Sequence, residues 1–440
     1  MKFISTRNSE KEVSFSQAVL DCMPQDGGLY VPSAPSDLHR WILYADENTS
    51  FANIAGTLTS ALINTEFSPI ICEAIASKAF TFSPVLRQLD DRLFTLELFH
   101  TPTGSHKDFG IAWLVNCVET LLTMKQSKGI FLDASIGELG ASLARTIRGK
   151  KNIKAVILYP KGKMRGLCDE DLVVNGGNIF PIEIDGTEQD CHNIVRAVFA
   201  RHDIVEKYGI TAANTANIGR LLPQSFFYTF AFSRLKKRTS GDIYYALTAG
   251  NYSNIVAGLY GWQLSLPVNG FIVPATMNLG LDPMGKCEVL DSMVPLSKRP
   301  ASDPASPSNI ERLEDVFKAY SMMMKNFVYP AYVSAEEADE ACQKLFVKYG
   351  FYADQATSEA YAAAIKNKSI TSDDDGSVVL ISRDSPALDT SFTLHNLGEC
   401  ISVPQNVATA LEPYSSSKVS LICADVKTAF DKLCSIFSSL

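Results

Sequence analysis

Cysteine pairing is missing from this 440-residue chain: its ten cysteines form no CxxC motif and no Cys/His cluster at zinc spacing. They are read as reduced and mostly buried, and no metal is expected. Also missing is any basic run longer than Lys236-Lys237-Arg238. With a formal net charge of −8, that argues against nucleic acid as a partner. No stretch approaches the roughly 20 apolar residues of a membrane span. The opening Met1–Arg7 leads into polar sequence without the apolar core of a secretory leader. The expectation is a cytoplasmic protein that meets no membrane.

What is present is ordinary globular composition, 46% hydrophobic and 20% charged, over a length that suits two or three domains with a cleft between them. Residues 1–95 are mostly polar loops with short amphipathic stretches, Phe51–Leu62 and Pro69–Ser77, and read as a small helical N-terminal domain. From Gly129 strands and helices alternate: Ile130–Ala134, helix Glu138–Ile147, Ala155–Tyr159, Ile179–Ile184, and a long helix from Glu188 to about Tyr208. That alternation predicts a parallel sheet with helices on both faces, in an α/β domain over 96–240. A helix over Gly219–Lys237, strand Ile243–Leu247, helix Asn254–Leu264 and strands Phe271–Ala275 and Val378–Ile381 predict a second α/β layer, with a domain over 241–440. The tail adds an apolar strand, Val419–Cys423, and a short amphipathic helix after Asp425.

Two turns carry candidate chemistry. The segment Leu96–Gly110 runs from an apolar strand through a Pro/Gly turn into helix Ile111–Leu122, which sets Lys107 at a helix start. The positive end of the helix dipole favours anions and so disfavours an ammonium there. A neutral amine suits attack on an aldehyde followed by acid–base work, although local physics also admits a solvated surface lysine. The second turn, Ala249-Gly250-Asn251-Tyr252-Ser253-Asn254, follows a strand and opens a helix, a geometry that gathers backbone N–H groups around an anion. Its plainer reading is a structural glycine followed by an N-capping Asn.

The run Leu98-Phe99-His100-Thr101-Pro102-Thr103, with Lys107-Asp108-Phe109 after it, resembles the Leu-Phe-His-Gly-Pro-Thr-x-x-x-Lys-Asp-Phe motif of threonine synthases. Ser5-Thr6-Arg7 and Asp26-Gly27-Gly28-Leu29-Tyr30-Val31-Pro32 are similar to that family's opening motifs. Asn214-Thr215-Ala216-Asn217-Ile218-Gly219-Arg220 and Pro307-Ser308-Asn309-Ile310-Glu311-Arg312 match later ones, in order. The resemblance implies a fold-type II pyridoxal-phosphate (PLP) enzyme of the tryptophan synthase β-like kind: two α/β domains with parallel-rich sheets plus the small N-terminal domain. It implies that Lys107 holds the cofactor as a Schiff base. Gly250, Asn251, Tyr252, Ser253 and Asn254 would surround the cofactor phosphate, and Ser382 would face the pyridine nitrogen. Ser135, Gly137, Glu138 and Gly140 would take the substrate carboxylate. Asn214, Asn217 and Arg220 would line the cleft, with Arg220 toward the substrate phosphate. The implied partner is a small phosphorylated amino acid, O-phospho-L-homoserine, converted with water into L-threonine and phosphate.

Three motifs depart from the family's pattern. Its Thr-Ser-Gly-Asp-Thr-Gly loop is here Ser135-Ile136-Gly137-Glu138-Leu139-Gly140, with two hydroxyls replaced by apolar groups. Each lost donor to a carboxylate is worth on the order of 1–3 kcal/mol if nothing replaces it. Asp-Pro-His-Thr becomes Asp354-Gln355-Ala356-Thr357, and Thr-Ala-His-Pro-Ala-Lys becomes Ser382-Arg383-Asp384-Ser385-Pro386-Ala387-Leu388. Two alternatives therefore stay open: a PLP-dependent phospho-lyase that releases a 2-oxo acid, and a non-catalytic paralogue that keeps the fold.

Overall fold

The computed structural model describes residues 1–34, 37–239, 241–289, 294–367 and 376–440. Two helix-covered sheets carry its core. The first has five parallel strands in the order Ser420–Cys423, Ile179–Asp185, Ile153–Pro160, Gly129–Ala134, Ile210–Thr211. Its inner strands are apolar almost without interruption, as burial on both faces of a parallel sheet requires. The second has six strands in the order Val328–Ala331, Gly270–Pro274, Ile243–Ala246, Ser377–Ser382, Leu93–Glu97, Val85–Asp90. All are parallel except the last, which closes a hairpin with Leu93–Glu97.

These sheets cut across the expected domain boundaries. Leu93–Glu97 straddles the boundary at 95/96 and pairs with Ser377–Ser382, Leu96 opposite Ile381. Ser420–Cys423, expected in the second domain, extends the first sheet beside Ile179–Asp185. The boundary at residue 240 lies outside the described residues. The reason is physical: a short apolar strand carries no local mark of which sheet it will join, because pairing is settled by long-range contact. The N-terminal region also differs from an all-helical reading. Beside helices Phe51–Ile63 and Pro69–Ala79 it holds a three-stranded antiparallel sheet, Asn8–Val13, Phe3–Ser5 and Tyr30–Pro32. Asn8–Val13 is exposed along most of its length and so has no hydrophobic alternation to announce it.

Two expected helices are divided. Glu188–Phe199 and His202–Tyr208 stand where one helix was expected. Helix Ile218–Leu221 passes through a tight turn at Leu222–Gln224 into Ser225–Leu235, because Pro223 has no N–H with which to continue the ladder. Helix Lys107–Lys125 is the axis of the main core. Its side chains are buried on every face from Asp108 to Val118. The Trp113 indole donates to Thr59 Oγ1 at 2.8 Å and meets Phe15 and Phe226 edge-on. A helix packed on all sides gives its first residue a fixed position. Among the described residues no helix is long and apolar enough to cross a membrane.

Candidate active site

Lys107 is the first residue of this core helix, and the turn before it is stitched to the end of strand Ser377–Ser382. The His106 amide donates to the Arg383 carbonyl at 2.9 Å, and the Ser385 amide to the Gly104 carbonyl at 2.8 Å. Asp384 accepts from Ser105 Oγ at 2.5 Å and stands 3.0 Å from His106 Nδ1. Burial pushes the Asp384 carboxyl up, but the His106 ring and the charges of Lys107 and Arg383 outweigh it and hold Asp384 well below the usual carboxylate range. On the other side, Asp108 accepts from the Thr103 amide and hydroxyl at 2.7 and 2.9 Å. The lysine's backbone is thus clamped from two directions.

Its amine reaches across to the first sheet. Lys107 Nζ donates to Glu138 Oε2 at 2.9 Å, with both side chains about one-third exposed. Glu138 opens helix Glu138–Ile147 after strand Gly129–Ala134, so the ion pair joins the lysine to the Ser135–Gly140 turn. In that turn Ser135 Oγ accepts from the amides of Gly137 and Gly140 at 3.0 and 2.9 Å. The amides of Ile136, Glu138 and Leu139 have no acceptor among the described residues.

The Ala249–Asn254 loop opens the eleven-residue helix Ser253–Gln263, with Tyr252 in the left-handed region at φ 66°. The amides of Gly250, Asn251 and Asn254 donate to no acceptor among the described residues. The side chains here are tied into the frame. Asn251 Nδ2 donates to Thr215 Oγ1 and the Pro307 carbonyl, Asn251 Oδ1 accepts from the Ser253 amide, and the Tyr252 hydroxyl meets Thr276 Oγ1 at 2.8 Å. Asn254 donates to Gln224 Oε1 and accepts from Arg383 Nη1 at 3.3 Å. That guanidinium lies against Gly250, 3.0 Å from where a Cβ would stand, and its buried Nε has no partner among the described residues. Ser382 is fully buried at its strand end and accepts from Thr357 Oγ1 at 3.0 Å, which leaves its own hydroxyl hydrogen to give.

Asn214, Asn217 and Arg220 are buried, and none of them is among the residues that line the cavity beside Lys107. Asn214 Nδ2 donates to Asp133 Oδ1 and the Pro304 carbonyl, and Asn217 Nδ2 to the Val19 carbonyl. Arg220 is 4% exposed, lodged against Gly110 of the Lys107 helix, and its Nη1 has no partner among the described residues. Burial lowers its guanidinium to about 10, against the pull of Asp108, Asp384 and Asp133. The other motif residues are struts. Arg312, wholly buried, donates to the carbonyls of Tyr30, Thr215 and Ala216 and to Asn309 Oδ1, and Arg7 pairs with Glu311 at 2.5 Å. A cavity of about 560 Å³ beside Lys107 is lined by five carboxylates, Glu138, Asp354, Glu359, Asp384 and Asp389, with His395 the other basic group. Burial raises the Asp354 carboxyl to about 6. No local feature of the sequence marks Asp384, whose meaning comes from its contact with a turn 278 residues away.

An amine at a helix start, an amide-rich helix entrance beside a guanidinium, and a strand-end hydroxyl with a hydrogen to give form a donor set that fits an aldehyde, a phosphate and an unprotonated ring nitrogen. With two parallel-rich sheets around them, they define a fold-type II PLP enzyme. Comparison with known proteins gives the same class: the family pattern described as "Pyridoxal-phosphate dependent enzyme" matches residues 80–383, and "Threonine synthase N terminus" matches residues 2–80. Threonine synthase from Buchnera aphidicola (subsp. Schizaphis graminum) is 31% identical over 375 residues, 82% of this chain and 84% of that one. The Escherichia coli K12 protein is 30% identical over 369 residues, with the same coverage. The crystal structure of threonine synthase from E. coli superposes with a TM-score of 0.79 at 25% identity over 99% of this chain and 100% of that one. The yeast threonine synthase structure, at 18% identity and TM-score 0.78 over 100% and 99%, shares the fold. The chain belongs to the threonine synthase family. It is a PLP-dependent lyase, and PLP is its cofactor.

Proposed function

We propose that the protein converts O-phospho-L-homoserine and water into L-threonine and phosphate, with Lys107 as the catalytic residue. The observation that carries this reading is the 2.9 Å approach of Lys107 Nζ to Glu138, because it joins the reactive amine to the turn assigned to the substrate carboxylate. Bound PLP supplies an electron sink for negative charge that develops on the amino acid. Lys107, once freed by the substrate amine, moves protons among Cα, Cβ and Cγ. The free amides of Gly250, Asn251 and Asn254, with Tyr252 and Ser253 shaping the loop, would hold the cofactor phosphate, and Ser382 would donate to the ring nitrogen. Ser135, Gly137, Glu138 and Gly140 form the carboxylate turn. Asn214, Asn217 and Arg220 shape the wall behind it, and Arg220 contributes positive potential from within that wall.

Purified holoenzyme incubated with O-phospho-L-homoserine should release phosphate and L-threonine in equal amounts, and Lys107→Ala should abolish both along with the visible absorbance of the covalently held cofactor. Release of 2-oxobutyrate without threonine overturns the reading in favour of a phospho-lyase. One observation favours a second reading. The five carboxylates beside Lys107 oppose a phosphate dianion. Under that reading the substrate carries no phosphate, and a yellow enzyme that releases none from O-phospho-L-homoserine is the expected result.

A further inference from the structure

We propose that Arg165 binds the substrate's α-carboxylate and makes good the two hydroxyls lost at Ile136 and Leu139; this rests on the carboxylate turn of the reading above. The Arg165 side chain lies across Gly137, its Cδ 2.8 Å and its Nε 3.0 Å from where a Cβ on that glycine would stand. Any side chain at 137 would displace it, so the glycine keeps the guanidinium stem on the turn. Its backbone is pinned on both sides. The Tyr414 amide donates to the Met164 carbonyl, and the Gly166 amide donates to the Glu412 carbonyl, each within 3.0 Å.

This arginine is partly buried and has no acceptor among the described residues. Among the described residues no carboxylate pairs with it, and the nearest acid in the turn, Glu138, is engaged by Lys107. The turn beneath it holds three amides without acceptors, those of Ile136, Glu138 and Leu139. Against Gly140, on the same turn, stands the hydroxyl of Tyr159, which is wholly buried and has no hydrogen-bond partner among the described residues. Unpaired donors converging on one turn, one of them a guanidinium, call for an oxyanion. A carboxylate is the oxyanion that every α-amino acid brings to the Lys107 side of the cleft.

The test is a titration of the holoenzyme's visible absorbance, with wild type and Arg165→Gln, against three ligands. O-phospho-L-homoserine carries carboxylate and phosphate, L-2-aminobutyrate carries only the carboxylate, and 3-aminopropyl phosphate carries only the phosphate. Arg165→Gln is expected to weaken both carboxylate ligands by about 10- to 100-fold and to leave 3-aminopropyl phosphate within about twofold, the range set by one charge-assisted bond. Arg165→Lys should recover part of the loss, and in turnover the change should fall mainly on KM. Equal binding of all three by wild type and variant overturns the proposal. So does a loss confined to the two phosphates, which makes Arg165 a phosphate ligand, and so does an equal loss for all three, which makes it a structural residue. If wild type responds to none of the three, the amino-acid reading of the site itself fails and takes this proposal with it.

Discussion

At the scale of single residues, the site contains an opposition. The amine that must attack the cofactor aldehyde is held at 2.9 Å by Glu138, an ion pair that has to break before the amine can react. Because both groups are about one-third exposed, the pair is worth only a few tenths to about 1 kcal/mol. Glu138→Gln should therefore speed the development of colour when PLP is added to apoenzyme at neutral pH by about two- to fivefold, with little change in stability. An unchanged rate would mean that the pair with Glu138 does not restrain the amine. The placement of Lys107 at a helix start was legible in the sequence because its motif is local and runs without a gap from strand to helix. Glu138 was legible only as a member of its turn. Its contact with an amine 31 residues away, like the contact of Asp384 with the Lys107 turn, needs the two sheets to be assembled first.

At the scale of elements, the helix that carries Lys107 is set by one close approach. A Cβ on Gly110 would stand 2.5 Å from the Arg220 carbonyl and 2.8 Å from its guanidinium carbon, and the carbonyl cannot swing away as a side-chain tip can. Gly110→Ala must push helix Lys107–Lys125 off Ile218–Leu221. It should lower stability by about 3 kcal/mol, measured by chemical denaturation, and weaken cofactor binding. A variant as stable as wild type would show that this contact yields freely. Elements of this kind are readable in sequence where periodicity is strong, as at Glu138–Ile147, found where expected. They fail where one residue breaks the pattern, as Pro223 does inside an otherwise helical run. They fail also where a strand is solvent-covered, as Asn8–Val13 is.

At the scale of the whole molecule, each sheet is built from distant pieces of chain. The second recruits the hairpin Val85–Asp90 and Leu93–Glu97, and the first recruits the tail. In the tail, Phe437 is 3% exposed and meets the Tyr208 ring at 5.7 Å. The chain therefore passes from the second sheet to the first, back to the second and again to the first. Neither sheet corresponds to one continuous segment that could fold by itself. Two independent units would unfold in two steps, whereas a chain threaded this way, with Lys107 fastened to the first sheet through Glu138 and to the second through Arg383, should unfold in one. In a denaturant titration of holoenzyme, helical circular dichroism and the cofactor's visible band should vanish together. Phe437→Ala, which leaves a cavity at the tail, should move both midpoints by the same amount, equivalent to about 3 kcal/mol, without altering the absorbance of the native state. A cofactor band that outlives a first loss of helix, or a Phe437→Ala shift seen by one signal alone, would show that the two sheets stand separately and that the cleft does not hold the molecule together.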